Sequence, residues 1–277
     1  MNSIKIFFSN KKALFGFCIL SFFIIIALFA DIIAPHDPRS MEFMPLQSPS
    51  SQHLFGTTAT GQDIFSRVVH GTRLSLFVGI ITGLITTTIS VIVGLCAGYF
   101  GGLIDDILTM ITNIFLVIPG LPLMIIIAAY IPVRGTFTII FVISLTGWAW
   151  GARVLRSQML TLKNRDFIQA SKSIGENPFH IIFKDILPNM FGLIVAHFFG
   201  GALYAILSES GLEFLGLGDA SAVTWGTILY WAQNNQAILF GQWLWILIPG
   251  ILIALLGTSF ALMNFAVDEI TNPKLRG

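Results

Sequence analysis

Three long stretches without a single charged residue constrain this chain more than any other feature. They lie between Arg73 and Asp105, between Asp185 and Glu209, and between Asp219 and Asp268. Each exceeds the roughly 20 apolar residues that an α-helix needs to cross a bilayer. Because lipid offers no hydrogen-bond partners to the backbone, such stretches cross it as helices. The sequence therefore predicts an all-α integral membrane protein.

The overall composition agrees, and it allows the spans to be counted. Only 10% of the 277 residues are charged, against about 25% in soluble domains. Arg134 alone interrupts the region 107–152, and it stands in Pro132-Val-Arg-Gly, a sequence typical of a tight turn. We expect six transmembrane helices, near residues 13–34, 74–99, 107–130, 136–157, 189–209 and 244–266.

The first span has an alternative interpretation as a secretory signal peptide, because Lys11 and Lys12 precede it and a small-residue sequence follows. Its apolar stretch is longer than the usual signal-peptide core of about 7–15 residues. We therefore favour an uncleaved anchor. Cleavage would leave five spans.

The positions of lysine and arginine predict the orientation, since cytoplasmic segments carry the excess. With six spans, most of the 15 basic residues fall on one side: Lys5, Lys11, Lys12, Arg153, Arg156, Lys163, Arg165, Lys172, Lys184, Lys274 and Arg276. We expect a multi-pass protein of the cell membrane with both termini in the cytoplasm.

A charged segment at 166–188, Asp-Phe-Ile-Gln-Ala-Ser-Lys-Ser-Ile-Gly-Glu-Asn-Pro-Phe-His-Ile-Ile-Phe-Lys-Asp-Ile-Leu-Pro, stands between two apolar runs on the cytoplasmic side. Asp166 is a suitable cap for a short helix, and Gly175 is a suitable end for it. Asn177 and Pro178 then favour the start of a second helix, which Pro188 is expected to break. The segment is predicted to be a helical hairpin, and we call residues 166–188 the hairpin.

The first hairpin helix carries an apolar stripe formed by Phe167, Ala170 and Ile174, at helical spacing. Taken alone, such an element fits an interfacial helix resting in lipid headgroups, with its lysines toward anionic lipid. It fits equally well a surface that docks on a cytoplasmic partner.

The hairpin resembles the cytoplasmic loop signature of ABC importer permeases, which reads Glu-Ala-Ala, three residues, Gly, nine residues, Ile, one residue, Leu-Pro. The matching positions are Gln169, Ala170, Ser171, Gly175, Asp185, Leu187 and Pro188. The spacing is intact, whereas Gln169, Ser171 and Asp185 depart from the family's Glu, Ala and Ile.

A second segment narrows the resemblance to the C-type permeases of dipeptide, oligopeptide and nickel importers. Residues 55–79 are similar to the family's pattern before the second span, although Thr58 and Gln62 replace an aspartate and an arginine. The matching residues are Gly56, Gly61, Asp63, Ser66, Arg67, Gly71, Arg73, Ser75 and Leu76. Residues 209–229 and 272–277 resemble the family's outer loop and C-terminal tail.

This resemblance implies the type I ABC importer permease fold and a set of partners. These are a second homologous permease subunit, two cytoplasmic ATPase subunits or domains, and an extracytoplasmic solute-binding protein. The hairpin would be the coupling helix that contacts an ATPase, through Phe167, Gln169, Ala170, Ser171, Ile174, Gly175, Leu187 and Pro188. The chain would divide into an anchor and extracytoplasmic segment (1–73), the permease domain (74–268) and a cytoplasmic tail (269–277).

The sequence indicates no catalytic machinery of its own. It lacks the Gly-x4-Gly-Lys-Ser/Thr phosphate loop, so ATP and Mg²⁺ are expected on the partner ATPases and no cofactor on this chain. We find no metal-ligand spacing and expect neither a metal site nor a nucleic-acid partner. His197, deep in a span, is expected to make a polar packing contact, with a pathway role as the alternative.

The outer loop 210–243 offers candidates for contact with the solute or the binding protein. They are Glu213, Trp225, Tyr230, Trp231 and Asn234. For the two tryptophans, anchoring at the membrane interface is an equal alternative.

Peptides are the substrate that the family implies first, and β-linked oligosaccharides or nickel complexes are alternatives within the same machine. A different class, an ion-coupled secondary transporter, would require ionisable residues inside the spans. The predicted spans contain almost none.

Small residues at four-residue spacing predict close helix packing, within the chain or at a subunit seam. The pairs are Gly79 with Gly83, Gly94 with Gly98, Gly98 with Gly102, and Gly147 with Gly151. Pro119, Gly120 and Pro122 predict a kink in the third span.

Overall fold

A computed structural model describes the backbone of residues 10–271 and the side chains of residues 10–267. Lys5 and the tail 272–277, which entered the orientation and family arguments, lie outside the described residues. Within the described residues the regular structure is helical, and the nearest approach to a strand is an isolated bridge between Thr57 and Asp63. The all-α prediction is confirmed.

Twelve α-helices and one short π-helix make up the regular structure of this part of the chain. In chain order they are α1 (Lys11–Leu28), α2 (Ala30–Ile33), α3 (Ile64–Phe100), α4 (Gly102–Val117), α5 (Gly120–Tyr130), α6 (Thr136–Gly147), α7 (Ala149–Lys163), α8 (Asp166–Ser173), α9 (Pro178–His180), the π-helix (Ile181–Ile186), α10 (Leu187–Phe214), α11 (Trp225–Asn234) and α12 (Leu244–Thr271).

Four stretches of the described chain are long and apolar enough to cross a membrane as single helices: Lys11–Leu28, Ile64–Phe100, Pro178–Phe214 and Leu244–Val267. Two further spans arise if each of two bent helix pairs counts as one, which gives the six that the sequence predicts. Two stretches begin well before their predicted starts: α3 begins at Ile64 rather than 74, and the stretch Pro178–Phe214 begins before the expected 189. The boundary expected after residue 73 therefore falls inside a helix.

The third and fourth predicted spans are both bent. Helices α4 and α5 meet at an angle of 92° around Ile118 and Pro119. Both of these residues have extended backbone, and proline cannot donate the helical hydrogen bond, so the predicted kink is confirmed. Helices α6 and α7 meet at 41° beside Trp148, a bend that the sequence did not indicate.

Helix α3 lies at the centre and packs against α10 and α7 through its glycines. A Cβ added at Gly79 would lie 2.4 Å from the Ile206 side chain, and one at Gly83 would lie 3.0 Å from the Ala202 backbone. A Cβ at Gly94 would lie 2.7 Å from the Ala152 carbonyl oxygen. The small residues therefore act within the chain. Gly102 is the exception, because a Cβ there would meet nothing within 4 Å.

Pro188 does not break the helical path, contrary to the sequence-based expectation. The path from Pro178 to Phe214 is continuous over 37 residues. The π-helix Ile181–Ile186 immediately precedes Pro188, and Leu187 N–H bonds to the Ile182 carbonyl across this wider turn. Pro188 thus stands in the first turn of α10, where its missing N–H is tolerated.

Residues 34–63 form an irregular segment that follows α2, and α2 is itself held against α3. The Arg73 guanidinium donates to both carboxylate oxygens of Asp31, at 3.0 and 2.8 Å. These hydrogen bonds, with the charge of Arg73, lower the pKa of the Asp31 carboxyl. At the other side, the Gln242 side chain donates to the Leu46 carbonyl oxygen at 2.9 Å. The start of the segment is therefore fixed beside α3 through α2, and its middle is tied to the loop before α12.

Candidate functional site

The hairpin has an inner face that is part of the hydrophobic core. Ile168 of α8 and Ile186 of the π-helix are fully buried. They cluster with Leu155 and Met159 of α7 and with Leu95 of α3. Two separate helices of the bundle therefore hold the hairpin, so it is an integral part of the fold rather than a hanging loop.

The outer face of the hairpin is apolar and exposed. Phe167 is 45% exposed and Ile174 is 77% exposed, and Ala170 lies exposed between them. Two phenylalanines of the second half are also exposed, Phe179 at 66% and Phe183 at 60%. We call Phe167, Ala170, Ile174, Phe179 and Phe183 the outer patch. The predicted stripe is thus present, and the two phenylalanines were missed because they follow the turn.

The turn of the hairpin is specified by its residues. The first helix begins one residue earlier than predicted, since Arg165 is the N-cap and Asp166 is already in the first turn. Its end is a Schellman motif, in which Gly175 N–H bonds to the Lys172 carbonyl and Glu176 N–H to the Ser171 carbonyl. Gly175 adopts the left-handed conformation, with φ of +80°.

The second helix begins at the predicted residue. The Asn177 side chain accepts a hydrogen bond from Phe179 N–H at 2.9 Å, and Pro178 occupies the first helical position. The last two hairpin positions, Leu187 and Pro188, open α10. Leu187 is half-buried, while Pro188 is exposed.

Polar contacts tie the hairpin and the end of α7 to the end of α3. Lys163 Nζ donates to the Tyr99 carbonyl oxygen at 2.5 Å, and Lys172 Nζ lies 5.6 Å from the centre of the Tyr99 ring. Burial lowers the pKa of Lys172, and the charge of Lys163 lowers it further. Two cations thus share one aromatic ring at the base of the hairpin.

Gln169, which stands where the family has glutamate, has a defined partner. Its side-chain amide donates to the Lys163 carbonyl oxygen at 2.9 Å, at the C-terminus of α7. A carboxylate could not donate this hydrogen bond. Ser171, the second departure, donates to the Phe167 carbonyl oxygen at 3.2 Å.

A cavity of about 600 Å³ lies beside the bend of the third span and is bordered by α7, α10 and α12. Its polar lining comes from Thr146, His197, Tyr204 and Asn264, and Trp150 provides an aromatic wall. No Asp, Glu, Lys or Arg stands among the lining residues in the part of the chain that the structure describes. His197 also accepts or donates a 3.1 Å hydrogen bond with Ser90 Oγ, so it both packs and faces the cavity.

Trp150, Tyr204 and Asn264 were not singled out from the sequence. The available signal was weak: Asn264 is a polar residue in an apolar span, and Trp150 follows the unpredicted bend. Helical spacing alone does not indicate which face of a span borders a cavity.

Glu213 and Trp225 are buried within the chain, whereas the sequence suggested an exposed outer loop. Helix α10 continues past residue 209, and Glu213 is only 2% exposed. Trp225 is fully buried, and its indole N–H donates to the Val68 carbonyl oxygen at 3.1 Å. Both side chains are covered because the outer loop packs back on α3.

Glu213 has a neighbour of the same type, the fully buried Glu209. Helix α10 thus carries two buried acids near its end, one of which, Glu213, lies beyond the predicted span. Hydroxyl groups satisfy the pair: Thr224 donates to Glu213, and Ser210 donates to Glu209 at 3.0 Å. Such hydrogen bonds offset part of the cost of burying a carboxyl group.

The remaining outer candidates are accessible. Tyr230 is half-buried, Trp231 is 37% exposed and Asn234 is exposed. All three lie on α11, and the Trp231 indole N–H donates to the Ala220 carbonyl oxygen at 2.9 Å. They form a surface separate from the cavity lining.

A bundle with a broken span and a hairpin anchored on one face defines a permease subunit of the type I ABC importer class. Residues 90–272 match the family model of the binding-protein-dependent transport system inner membrane component. Residues 2–51 match the model of the N-terminal TM domain of oligopeptide transport permease C. The chain belongs to the family of binding-protein-dependent transport permeases.

Individual relatives cover almost the whole chain. It is 37% identical over 270 residues to the dipeptide transport system permease protein DppC of Bacillus subtilis, covering 96% of this chain and 83% of that protein. It is 33% identical over 272 residues to the oligopeptide transport system permease protein OppC of the same organism, covering 98% and 88%.

Among solved structures, the chain is similar to one of the inward-facing MetNI methionine ABC transporter. The TM-score is 0.58 at 20% sequence identity, and the match covers 73% of this chain and 94% of that chain. This similarity shows the fold alone.

Proposed function

We propose that this protein is a peptide-importing permease subunit that forms half of a translocation pathway with a second, homologous subunit. Its relatives are dipeptide and oligopeptide permeases, which supports peptides as the solute class. An extracytoplasmic binding protein delivers the solute, and two ATPase subunits bind ATP and Mg²⁺. This chain is non-catalytic, and ATP and its Mg²⁺ are bound by the partner subunits alone.

The orientation in this proposal follows the basic residues, with both termini and the hairpin in the cytoplasm. Residues 1–73 then form the anchor and extracytoplasmic segment, 74–268 the permease domain and 269–277 a cytoplasmic tail. In this orientation Lys163, Lys172 and Arg156 lie toward the cytoplasm.

The observation that carries the proposal is the two-sided hairpin. Its inner face is buried with α3 and α7, while the outer patch leaves large apolar side chains uncovered by the rest of the chain. Exposed apolar surface on a cytoplasmic element indicates a protein partner. The outer patch, together with Gln169, Ser171 and Gly175, is therefore the docking surface for an ATPase.

The second half of the hairpin continues into the span without a break in the helix, so a movement of the hairpin also moves the span. Residues Pro178–Phe214 form one continuous helical path of 37 residues, about 55 Å long at 1.5 Å per residue. Leu187 and Pro188 lie within this path, at the exit of the hairpin. ATPase closure moves the hairpin as a rigid body, and α10 transmits the movement to the cavity that it borders.

The cavity forms this subunit's half of the pathway. His197, Tyr204 and Asn264 provide hydrogen-bonding groups that suit the amides of a peptide backbone. The uncharged lining also favours a second candidate, a neutral β-linked oligosaccharide. Tyr230, Trp231 and Asn234 on α11 are the surface that meets the binding protein.

The coupling role is tested by two variants of matched exposure. Ile174 is 77% exposed in the outer patch, and Leu239 is 78% exposed in the loop after α11. We expect Ile174→Ser to lower ATPase co-purification in mild detergent, whereas Leu239→Ser leaves it unchanged. Equal ATPase recovery with both variants would refute the docking surface.

The substrate class is tested by reconstitution of the purified complex in liposomes. We expect ATP-dependent uptake of a labelled dipeptide when the captured binding protein is present, and none without ATP. Mass spectrometry of the ligand on that binding protein separates a peptide from an oligosaccharide. Full transport by this chain alone, without ATP, would refute the ABC mechanism.

A further inference from the structure

Two histidines and an aspartate that are distant in sequence converge at the start of α3. One ring nitrogen each of His36 and His53 and one carboxylate oxygen of Asp63 all lie within 4.8 Å of one another. His53 is 3% exposed and Asp63 is fully buried, while His36 is half-buried at the edge. None of the three lines the cavity described above.

The donor set has the chemistry of a zinc site. Two imidazoles and one carboxylate are a common ligand set for Zn²⁺ in proteins, with the fourth position left to water. His53 Nδ1 and Asp63 Oδ1 are 3.0 Å apart, so two of the three ligand atoms already converge. The exposed edge at His36 gives an ion a route to the site.

The surroundings hold these side chains in place. Ser66 donates to Asp63 Oδ2 through its backbone N–H at 2.8 Å and its hydroxyl at 2.6 Å, which leaves Oδ1 for another partner. His36 Nε2 lies 3.4 Å from the Gln52 carbonyl oxygen. Outer contacts of this kind orient metal ligands.

An aromatic wall limits solvent at the cluster. The Phe43 ring centre lies 4.6 Å from that of His36 and 4.6 Å from that of His53. An apolar wall beside polar ligands is usual at metal sites, because it restricts the access of water.

We propose that His36, His53 and Asp63 bind one Zn²⁺ ion that ties the segment 34–63 to the start of α3. The ion replaces the His53–Asp63 hydrogen bond with two coordination bonds and recruits His36 as the third protein ligand. Its role is to fix the segment that joins the anchor helix to the permease domain. It is independent of the transported solute.

The test measures Zn²⁺ on the full-length chain, purified in detergent without a histidine tag, stripped with chelator and titrated with ZnCl₂. We expect one equivalent per chain and an upward shift of the melting temperature. His36→Gln should abolish both, because it removes one ligand and leaves the Asp63 cap intact. His180→Gln is the matched control, since His180 is a half-exposed histidine outside the cluster, and it should bind zinc normally.

A second readout avoids dependence on one variant. Co²⁺ in place of Zn²⁺ should give the intense visible bands of a tetrahedral site, and Asp63→Asn should remove them while the amide can still cap α3. Two results would overturn the proposal: no zinc on the wild-type chain at micromolar free metal, or equal zinc on wild type and His36→Gln. Either result assigns the cluster to hydrogen bonding alone.

Discussion

Replacement of Gly175 tests whether the shape of the hairpin turn sets coupling to the ATPase. Gly175 has a φ of +80°, and a Cβ added there would meet nothing within 4 Å. Steric conflict with neighbours is therefore absent, and the cost of a substitution comes from the backbone. For non-glycine residues the left-handed conformation costs about 1–2 kcal/mol, with asparagine better tolerated.

The expected magnitude follows from that cost. A penalty of about 1–2 kcal/mol lowers the population of the native turn by a factor of about 5–30. Where the native turn becomes the minor form, the apparent affinity for the ATPase falls in proportion. We expect Gly175→Val to weaken ATPase binding by up to this factor and to reduce transport, while Gly175→Asn remains close to wild type.

The assay is titration of the purified ATPase onto the permease in nanodiscs, followed by uptake in proteoliposomes. Gly241→Val is the matched control, because Gly241 has a φ of +74° and equally open surroundings but lies in the loop after α11. Its ATPase affinity should be unchanged. Equal affinity for the Val and Asn variants of Gly175, or an equal loss in Gly241→Val, would refute the reasoning.

Two further predictions concern the support of the hairpin and the packing of α3. Gln169→Glu restores the family residue but removes the hydrogen bond to the Lys163 carbonyl oxygen. We expect the free energy of unfolding, measured by thermal unfolding in detergent, to fall by about 0.5–1.5 kcal/mol. An unchanged melting temperature would contradict this prediction. Gly94→Ala places a methyl group 2.7 Å from the Ala152 carbonyl oxygen, so we expect a loss of about 1–3 kcal/mol. Gly250→Ala, which meets nothing within 4 Å, is its control and should leave the melting temperature unchanged or slightly raised.

The hairpin was predicted in detail because its signals are local. Asn177 and Pro178 act on the residues next to them, and Gly175 ends a helix through its own backbone. The inner face was not predicted, since burial of Ile168 depends on where α3 and α7 lie. The prediction that Pro188 breaks the helix was wrong, because the π-helix just before it changes the backbone hydrogen-bonding pattern.

The residues predicted in the outer loop also divide into those whose exposure the sequence indicates and those whose burial depends on distant contacts. Tyr230, Trp231 and Asn234 remain accessible, as a polar and aromatic loop suggests. Glu213 and Trp225 are buried, because the chain after α10 folds back against α3 and supplies hydroxyl and carbonyl partners. The composition of a loop does not indicate that the loop packs back against a helix.

The sequence by itself determined that the chain is helical, that it crosses the membrane, where its hairpin turns and to which family it belongs. Each of these depends on residues close together or on summed hydropathy. The tertiary structure alone decided which face of the hairpin is free, which side chains border the cavity and that His36, His53 and Asp63 meet. Those features depend on contacts between residues far apart in the chain, and packing of whole helices fixes such contacts.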